Sequence, residues 1–380
     1  MIRTALFAGL IIAAALVGAT GVSAGSRTPR AGASANSAAL SRYQDGLQLP
    51  TGLAMLPSGE LLVTDIGSHR VLLRERSGRL RVIAGTGKGG FSGDGGPAAQ
   101  ARLHAPHDVA VDSMGRIYIA DTYNHRIRRV DQRGVIQTIA GNGNDRLAGD
   151  LGPAVKASLS NPQGIGFTAD GRLLIADTYH HVIRVVDKSG IIRRFVGTEA
   201  GLSGDGGPAE RAQISLPMAV AGAPDGSVYL CDTGNNRIRR VTAEGVISTI
   251  AGSGPGSGTA GAGFGGDGGP VGAARLFAPS DIKVLPSGEV LFSDSGNNRV
   301  RKISSNVVDT VAGSGDAGYG GDGGPASQAK LNTPQKILVS PDGVLFVTDR
   351  LNGRIRRIST DRTIETLPIT GGTRGRSGSK

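Results

Sequence analysis

The chain has 380 residues and carries 42 Lys and Arg against 31 Asp and Glu, a formal charge of +11. That balance favours anionic partners such as glycans, lipid head groups or nucleic acid, while the absence of Trp and an aromatic content of 4% weaken any surface built on stacked bases. The single cysteine, Cys231, excludes an intrachain disulfide.

In chain order, residues 1–24 open with Arg3, continue through the uncharged run "ALFAGLIIAAALVGATGV" and end in "VSA". A positive start, an apolar run and a small-x-small ending predict a cleavable signal peptide, with a retained anchor as the alternative. The mature protein is then expected outside the cytoplasm, secreted or periplasmic. Residues 25–45, rich in Ser, Ala, Gly and Arg with no apolar period, predict a flexible linker. Residues 371–380 predict a basic disordered tail.

Between them, residues 46–370 repeat. The loop motif "ADTYNHRIRRV" returns as "ADTYHHVIRVV", "CDTGNNRIRRV", "SDSGNNRVRKI" and "TDRLNGRIRRI", with a worn copy, "TDIGSHRVLLR", ahead of them. Its aspartates are Asp65, Asp121, Asp177, Asp232, Asp294 and Asp349, 55 or 56 residues apart except for one step of 62 lengthened by "GPGSGTAGAGF". Each unit holds four short Val/Ile-rich segments, in the second unit "DVAV", "RIYIA", "RIRRV" and "VIQTIA". Gly-containing pairs such as Met114-Gly115 and Arg133-Gly134 separate them, as hairpins require. Six such units without long helices predict an all-β fold, a six-bladed β-propeller of four-stranded antiparallel blades. Ring closure protects the edges that a linear stack would expose.

Between units runs "GDGGPAAQARLHAP", repeated with Pro97, Pro153, Pro208, Pro270 and Pro325 at corresponding places. Pro there suits the first turn of a short helix, with Ala101 and Leu103 packing inward and Pro106 ending it. The "DTxNxRIRR" loop, the strand that opens each unit and the "FSGDGGPA" linker resemble NHL repeats, particularly those of bacterial secreted proteins and the teneurin propeller. The resemblance spans about residues 46 to 370 and implies the propeller fold; one such scaffold hosts many functions.

The repeated residues are expected to build loops. The aspartate is placed to accept N–H bonds from the next few residues. Asn124, Asn235, Asn297 and Asn352 suit a left-handed turn position, and Arg126, Arg237, Arg299 and Arg354 are placed to pair with a carboxylate or carbonyl of a neighbouring blade. The rows "RIRR" read as a solvated strand face, or as an anion-binding surface. Cys231 stands where other copies carry Ala, Ser or Thr and reads as a small buried residue.

Function is sought where copies disagree. Every histidine falls in the first three units, and Tyr123 and Tyr179 replace the Gly of three other copies. The residue after the Pro that opens strand one reads Thr51, His107, Gln163, Met218, Ser280 and Gln335. In a propeller the strand two–three loops share a face with the starts of strand one, so His69, His107, His125, His180 and His181 are expected on one rim. His107, Tyr123, His125, Gln163, Tyr179, His180 and His181 form the predicted ligand site on the channel-mouth face near blades two and three. Propeller lyases of similar architecture, such as the peptidyl-amidating lyase, use several histidines at the start of strand one, where only His107 stands here. Gluconolactonase-like propellers place a Glu there, and none is present.

The expectation is an exported, non-catalytic binding scaffold, monomeric, with no cofactor. Its partner is expected to be an extracytoplasmic protein or an anionic envelope glycan, with no nucleic acid. The alternative is a metal-assisted lyase or lactonase around His107, holding a divalent metal. "GTGKGG" and "GSGDAG" match a dinucleotide-binding pattern but open no crossover helix, and "LPITG" lacks the apolar tail of a sorting signal.

Overall fold

The computed structural model describes residues 46–254 and 262–370. The signal segment, the flexible linker, the tail after residue 370 and most of the Gly-rich insertion lie outside the described residues. Among the described residues no helix is long and apolar enough to cross a membrane.

Six antiparallel sheets, each with four consecutive strands, form the blades of a β-propeller, and in blades three and five a two-residue strand of the preceding linker, Gly152–Pro153 or Gly269–Pro270, adds a fifth. Blade one runs Pro50–Met55, Leu61–Asp65, Arg70–Arg74 and Leu80–Ala84. The opening strands of blades two to six are Pro106–Val111, Gly164–Phe167, Ala219–Gly222, Pro279–Val284 and Pro334–Val339. The first hairpin is a three-residue loop: in blade one Leu56 N–H bonds Glu60 O and Gly59 N–H bonds Leu56 O. Gly59, with φ 86°, takes the left-handed position that such a loop requires.

The core lies between blades. Each joint has its own apolar cluster: Leu62, Leu73, Val109 and Ile119 fill the joint of blades one and two, and Leu291, Val300, Ile337 and Val347 that of five and six. The linkers seal these joints. Where a short helix is expected, each linker makes a single 3-10 turn, Ala98–Gln100 in the first, with Pro97 as its N-cap. Ala98, Ala101 and Leu103 are buried in the first joint. Each Gly-Pro then lies beside the outer strand of the blade it precedes, as in Pro270 opposite Val307 and Pro97 opposite Val135.

Among the described residues no Gly-Pro linker segment precedes blade one, and residues near both ends of the described region cover its joint and outer hairpin. Pro368–Thr370 runs along its outer hairpin, where Arg79 bridges Thr370 and Arg74 donates to Pro368 O at 2.8 Å. Leu47, Leu53, Val63, Ile355 and Leu367 fill the closing joint. Thr348 donates to Thr51 O across it at 3.0 Å. Among the described residues the ring is latched by packing and edge contacts, with no strand exchanged between the first and last blades.

The repeated polar residues are structural, but their bonds differ from those expected. Each loop aspartate is fully buried and accepts from a backbone N–H seventeen residues earlier, not from the residues that follow it. His104 N–H to Asp121 (2.7 Å) and Ser215 N–H to Asp232 (2.6 Å) are two of these bonds. Asn124, Asn235, Asn297 and Asn352 donate to those aspartates and also to a linker carbonyl, as Asn124 does to Gly90 O at 2.8 Å. The left-handed position is the next residue, His125, Asn236, Asn298 or Gly353.

The arginines divide the work. Arg126, Arg237 and Arg299 bond carbonyls of their own blade, as Arg126 does to Asn142 O at 2.8 Å, rather than groups of a neighbouring blade. Arg354 lies over the Tyr319 ring, 4.5 Å from its centroid. The arginine two places on is fully buried. Arg128, Arg184, Arg239, Arg301 and Arg356 each pair with the loop aspartate and with a linker aspartate, Asp94, Asp150, Asp205, Asp267 or Asp322. The "RIRR" rows are therefore not an open cationic face. Blade one, with no linker to hold, carries the buried Leu72 at this position.

Burial pushes Asp121, Asp232 and Asp294 up to about 6, against the pull of the Asn side chain, the backbone N–H and the arginine, so they remain ionised at neutral pH. Arg239→Ala leaves Asp232 buried without its cation and is expected to cost about 3–5 kcal/mol in denaturant unfolding. Asp205→Ala removes a half-exposed partner and is expected to cost about 1 kcal/mol or less. Equal losses would contradict this division.

Candidate functional site

The strand two–three loops and the starts of strand one meet on one face, as expected. Tyr123 N–H donates to His104 O at 3.1 Å, and the Thr122 hydroxyl donates to Pro162 O of blade three at 2.7 Å.

On this face three of the histidines are interblade staples. His69 Nδ1 accepts from Ala105 N–H at 3.0 Å, His125 Nδ1 from Asn161 N–H at 3.2 Å, and His181 Nδ1 from Leu216 N–H at 3.1 Å. Asn236 and Asn298 make the same bond through Oδ1, to Ala278 and Thr333. Nδ1 must be unprotonated to accept, and burial correspondingly lowers the proton affinity of His69, His125 and His181.

His180 substitutes for the repeat asparagine. Its Nδ1 meets Asp177 at 2.8 Å and its Nε2 meets Asp145 O at 2.8 Å, the same carboxylate-plus-carbonyl pair that Asn124 bridges in blade two. Burial alone would depress its pKa, but the hydrogen bond and charge of Asp177, with the Asp145 carbonyl, outweigh it and raise the value.

What remains exposed is aromatic. The rings of His69 and His104 meet edge to face at 5.4 Å, and His104 and Tyr123 do so at 5.3 Å, forming a ladder across blades one and two that ends on the 46%-exposed Tyr123. Tyr179 stands half-buried beside Asn161, to which its hydroxyl bonds. The structure thus adds His104, which the sequence reading left out.

At the channel mouth His107, Gln163 and Met218 of blades two to four are partly exposed, whereas Thr51, Ser280 and Gln335 are buried. Burial, together with Arg350 and Lys336 nearby, drives His107 down to about 3, so its imidazole is neutral. Gln163 Oε1 is buried and makes no hydrogen bond among the described residues.

One position deeper lies a network that was not anticipated. Lys336 bridges Asp108 (2.7 Å) and Asp281 (2.9 Å) across the channel, joining blades six, two and five. Asp108 also accepts from Ile165 N–H at 3.0 Å and Asp281 from Ile337 N–H at 2.9 Å, so each ties its blade to the next. The signal was available: this position reads Gly52, Asp108, Gly164, Ala219, Asp281 and Lys336, three small residues and three charged ones. Cys231 is buried and its thiol pushed well up by burial, which fits a packing residue. Among the described residues no three His, Cys, Asp or Glu side chains come together as a metal-holding group.

The architecture is that of a six-bladed β-propeller, and comparison with known proteins specifies the kind. The teneurin NHL domain family matches residues 53–148 and 143–204. Mouse teneurin-4 is 29% identical over 282 residues, covering 66% of this chain and 10% of its own length. Zebrafish teneurin-3 is 28% identical over 340 residues, covering 80% of this chain and 10% of its own. The Arabidopsis chloroplast protein Suppressor of Quenching 1 is 29% identical over 308 residues, 76% of this chain and 28% of its own. The chain thus spans about a tenth of the length of the teneurins it matches.

Solved propellers share the fold. An auxiliary nutrient binding protein from Bacteroides thetaiotaomicron superposes with TM-score 0.60 at 17% identity, over 85% of this chain and 70% of that one. A gluconolactonase from Xanthomonas campestris gives 0.54 at 16%, over 87% and 88%. A streptogramin B lyase gives 0.52 at 15%, over 84% and 83%. Repeat pattern, relatives and fold agree: the chain is a six-bladed β-propeller similar to the teneurin NHL domain.

Two predictions follow from the site geometry. Lys336→Met strands two buried carboxylates, so the melting temperature at pH 7 is expected to fall sharply. It should recover in part at pH 5, because unpaired buried carboxyls have folded pKa values above their unfolded ones and proton uptake then favours the folded state. A variant that melts no lower than wild type at pH 7 would refute the bridge. For His180 the raised folded pKa means stabilisation that is complete below about pH 6.5 and lost as pH rises through the folded value. His180→Asn should keep both hydrogen-bonded partners and abolish this component. Its melting temperature should gain on wild type as pH rises from 6 upward, and parallel pH profiles would contradict the assignment.

Proposed function

We propose that this propeller is an exported, non-catalytic binding scaffold whose ligand seats on the face formed by the strand two–three loops and the channel mouth at blades two and three. One observation carries the reading: the repeated Asp, Asn and Arg side chains are consumed by bonds that hold the ring. The exposed groups that differ between copies are Tyr123, Tyr179 and His104, with His107, Gln163 and Met218 beside them. Tyrosine supplies flat apolar area with a polar tip and little rotamer entropy to lose, which suits recognition on a rigid frame. The chain's charge of +11 and its apolar first 24 residues favour an extracytoplasmic protein or an anionic envelope glycan as the partner.

A second reading, a metal-assisted lyase or lactonase, rests on His107. A neutral imidazole at the channel mouth is in the right state to ligate a divalent metal. Screening envelope glycans and proteins against the mature chain identifies the ligand. Tyr123→Ala and Tyr179→Ala are then each expected to weaken binding about tenfold with unchanged melting temperature, as truncating a rigid aromatic anchor does. His107→Ala separates the readings, since it merely dents affinity in a scaffold and abolishes turnover in an enzyme. Full affinity in both tyrosine variants would place the ligand elsewhere.

A further inference from the structure

Among the described residues Lys283 is a charged side chain beside the channel's ion-pair network that the network does not absorb. Lys283 lies two residues beyond Asp281 on the opening strand of blade five, hence on the same strand face and nearer the hairpin end of the ring. At the corresponding register the other blades place Ala54, Ala110, Gly166, Ala221 and Leu338, none with a polar side chain. Lys283 is partly exposed, and its ammonium makes no hydrogen bond or ion pair among the described residues.

The neighbouring carboxylates are already engaged. Asp108 and Asp281 both hold Lys336, and each also holds a backbone N–H of the next blade. Two lysines therefore lie within each other's field, and only Lys336 has its counter-ions at hydrogen-bonding distance. Burial first, and the charge of Lys336 second, pull the Lys283 ammonium below the ordinary lysine range, while the charges of Asp281 and Asp108 pull the other way. A partly desolvated ammonium without a bonded acceptor is a costly arrangement, and an arriving anion relieves it.

We propose that Lys283 is an anion-binding site inside the ring, taking a single oxyanion group, a carboxylate or a phosphate, on the hairpin side of the Asp108–Lys336–Asp281 bridge. The ammonium donates up to three hydrogen bonds to that group, and Lys336 adds a second positive charge within its field. The site is separate from the tyrosine face and does not depend on it.

The test compares melting temperatures in chloride with those after replacement, at constant ionic strength, by acetate, inorganic phosphate or a hexuronate sugar. These arms distinguish a bare carboxylate, a phosphate and a sugar acid. The wild type is expected to show a saturable rise with at least one of the three, lost in Lys283→Met and retained in the exposed-site control Lys88→Met. No rise with any of the three, or an equal rise in Lys283→Met, overturns the proposal. Should Lys283→Met not fold, the wild type alone decides. Acylation of Lys283, followed by peptide mapping, must slow at least severalfold in the effective anion, and an unchanged rate overturns the site.

Discussion

The structure depends on one buried ionic unit, repeated around the ring. A carboxylate taken out of water loses several kcal/mol of hydration, and this chain does so at every loop aspartate. Each aspartate recovers that loss by accepting from a distant backbone N–H and from the side chain three residues on, while in five blades a buried arginine neutralises it. The arginine's other face holds the linker aspartate. One unit therefore fixes a loop, the start of the blade's own inner strand and the linker that leads into the blade. That explains why so polar a motif recurs without forming an active site.

Blade one is the informative exception. Among the described residues no Gly-Pro linker segment precedes it, and the arginine and its linker partner are missing too: Leu72 occupies the position and joins the apolar closing joint. Leu47, Leu367 and Pro368–Thr370 cover the joint and the outer hairpin, as linker residues do elsewhere. Closure between blades six and one rests on packing and edge contacts, because among the described residues each of these two blades is built from its own four consecutive strands.

The same economy bears on function. Several residues that differ between copies do not differ in role: His125 and His181 accept the bond that Asn236 accepts in blade four, and His180 bridges what Asn124 bridges. A histidine and an asparagine are exchangeable there because each offers one acceptor or donor at similar reach. Groups with no counterpart elsewhere are fewer: Tyr123, Tyr179 and His104 on the face, and the charged residues of the channel. The two lie at different depths, so a partner docked on the face and a small anion in the ring need not compete.

The amino-acid sequence by itself determined the blade count, the strands, the hairpin glycines and the joint-sealing linkers, because each is dictated locally by side-chain period, by turn chemistry or by a repeat spacing. Reading the loop motif as architecture was also possible, since identical polar groups at every blade diverge instead of converging. Three things were decided only in the folded ring. Asp121 reaches a backbone seventeen residues back, Arg128 rather than Arg126 is the buried partner, and Lys336 meets Asp108 from the far end of the chain. Those contacts join residues separated along the chain, and Lys336 and Asp108 in particular are brought together only when the sixth blade returns to the first.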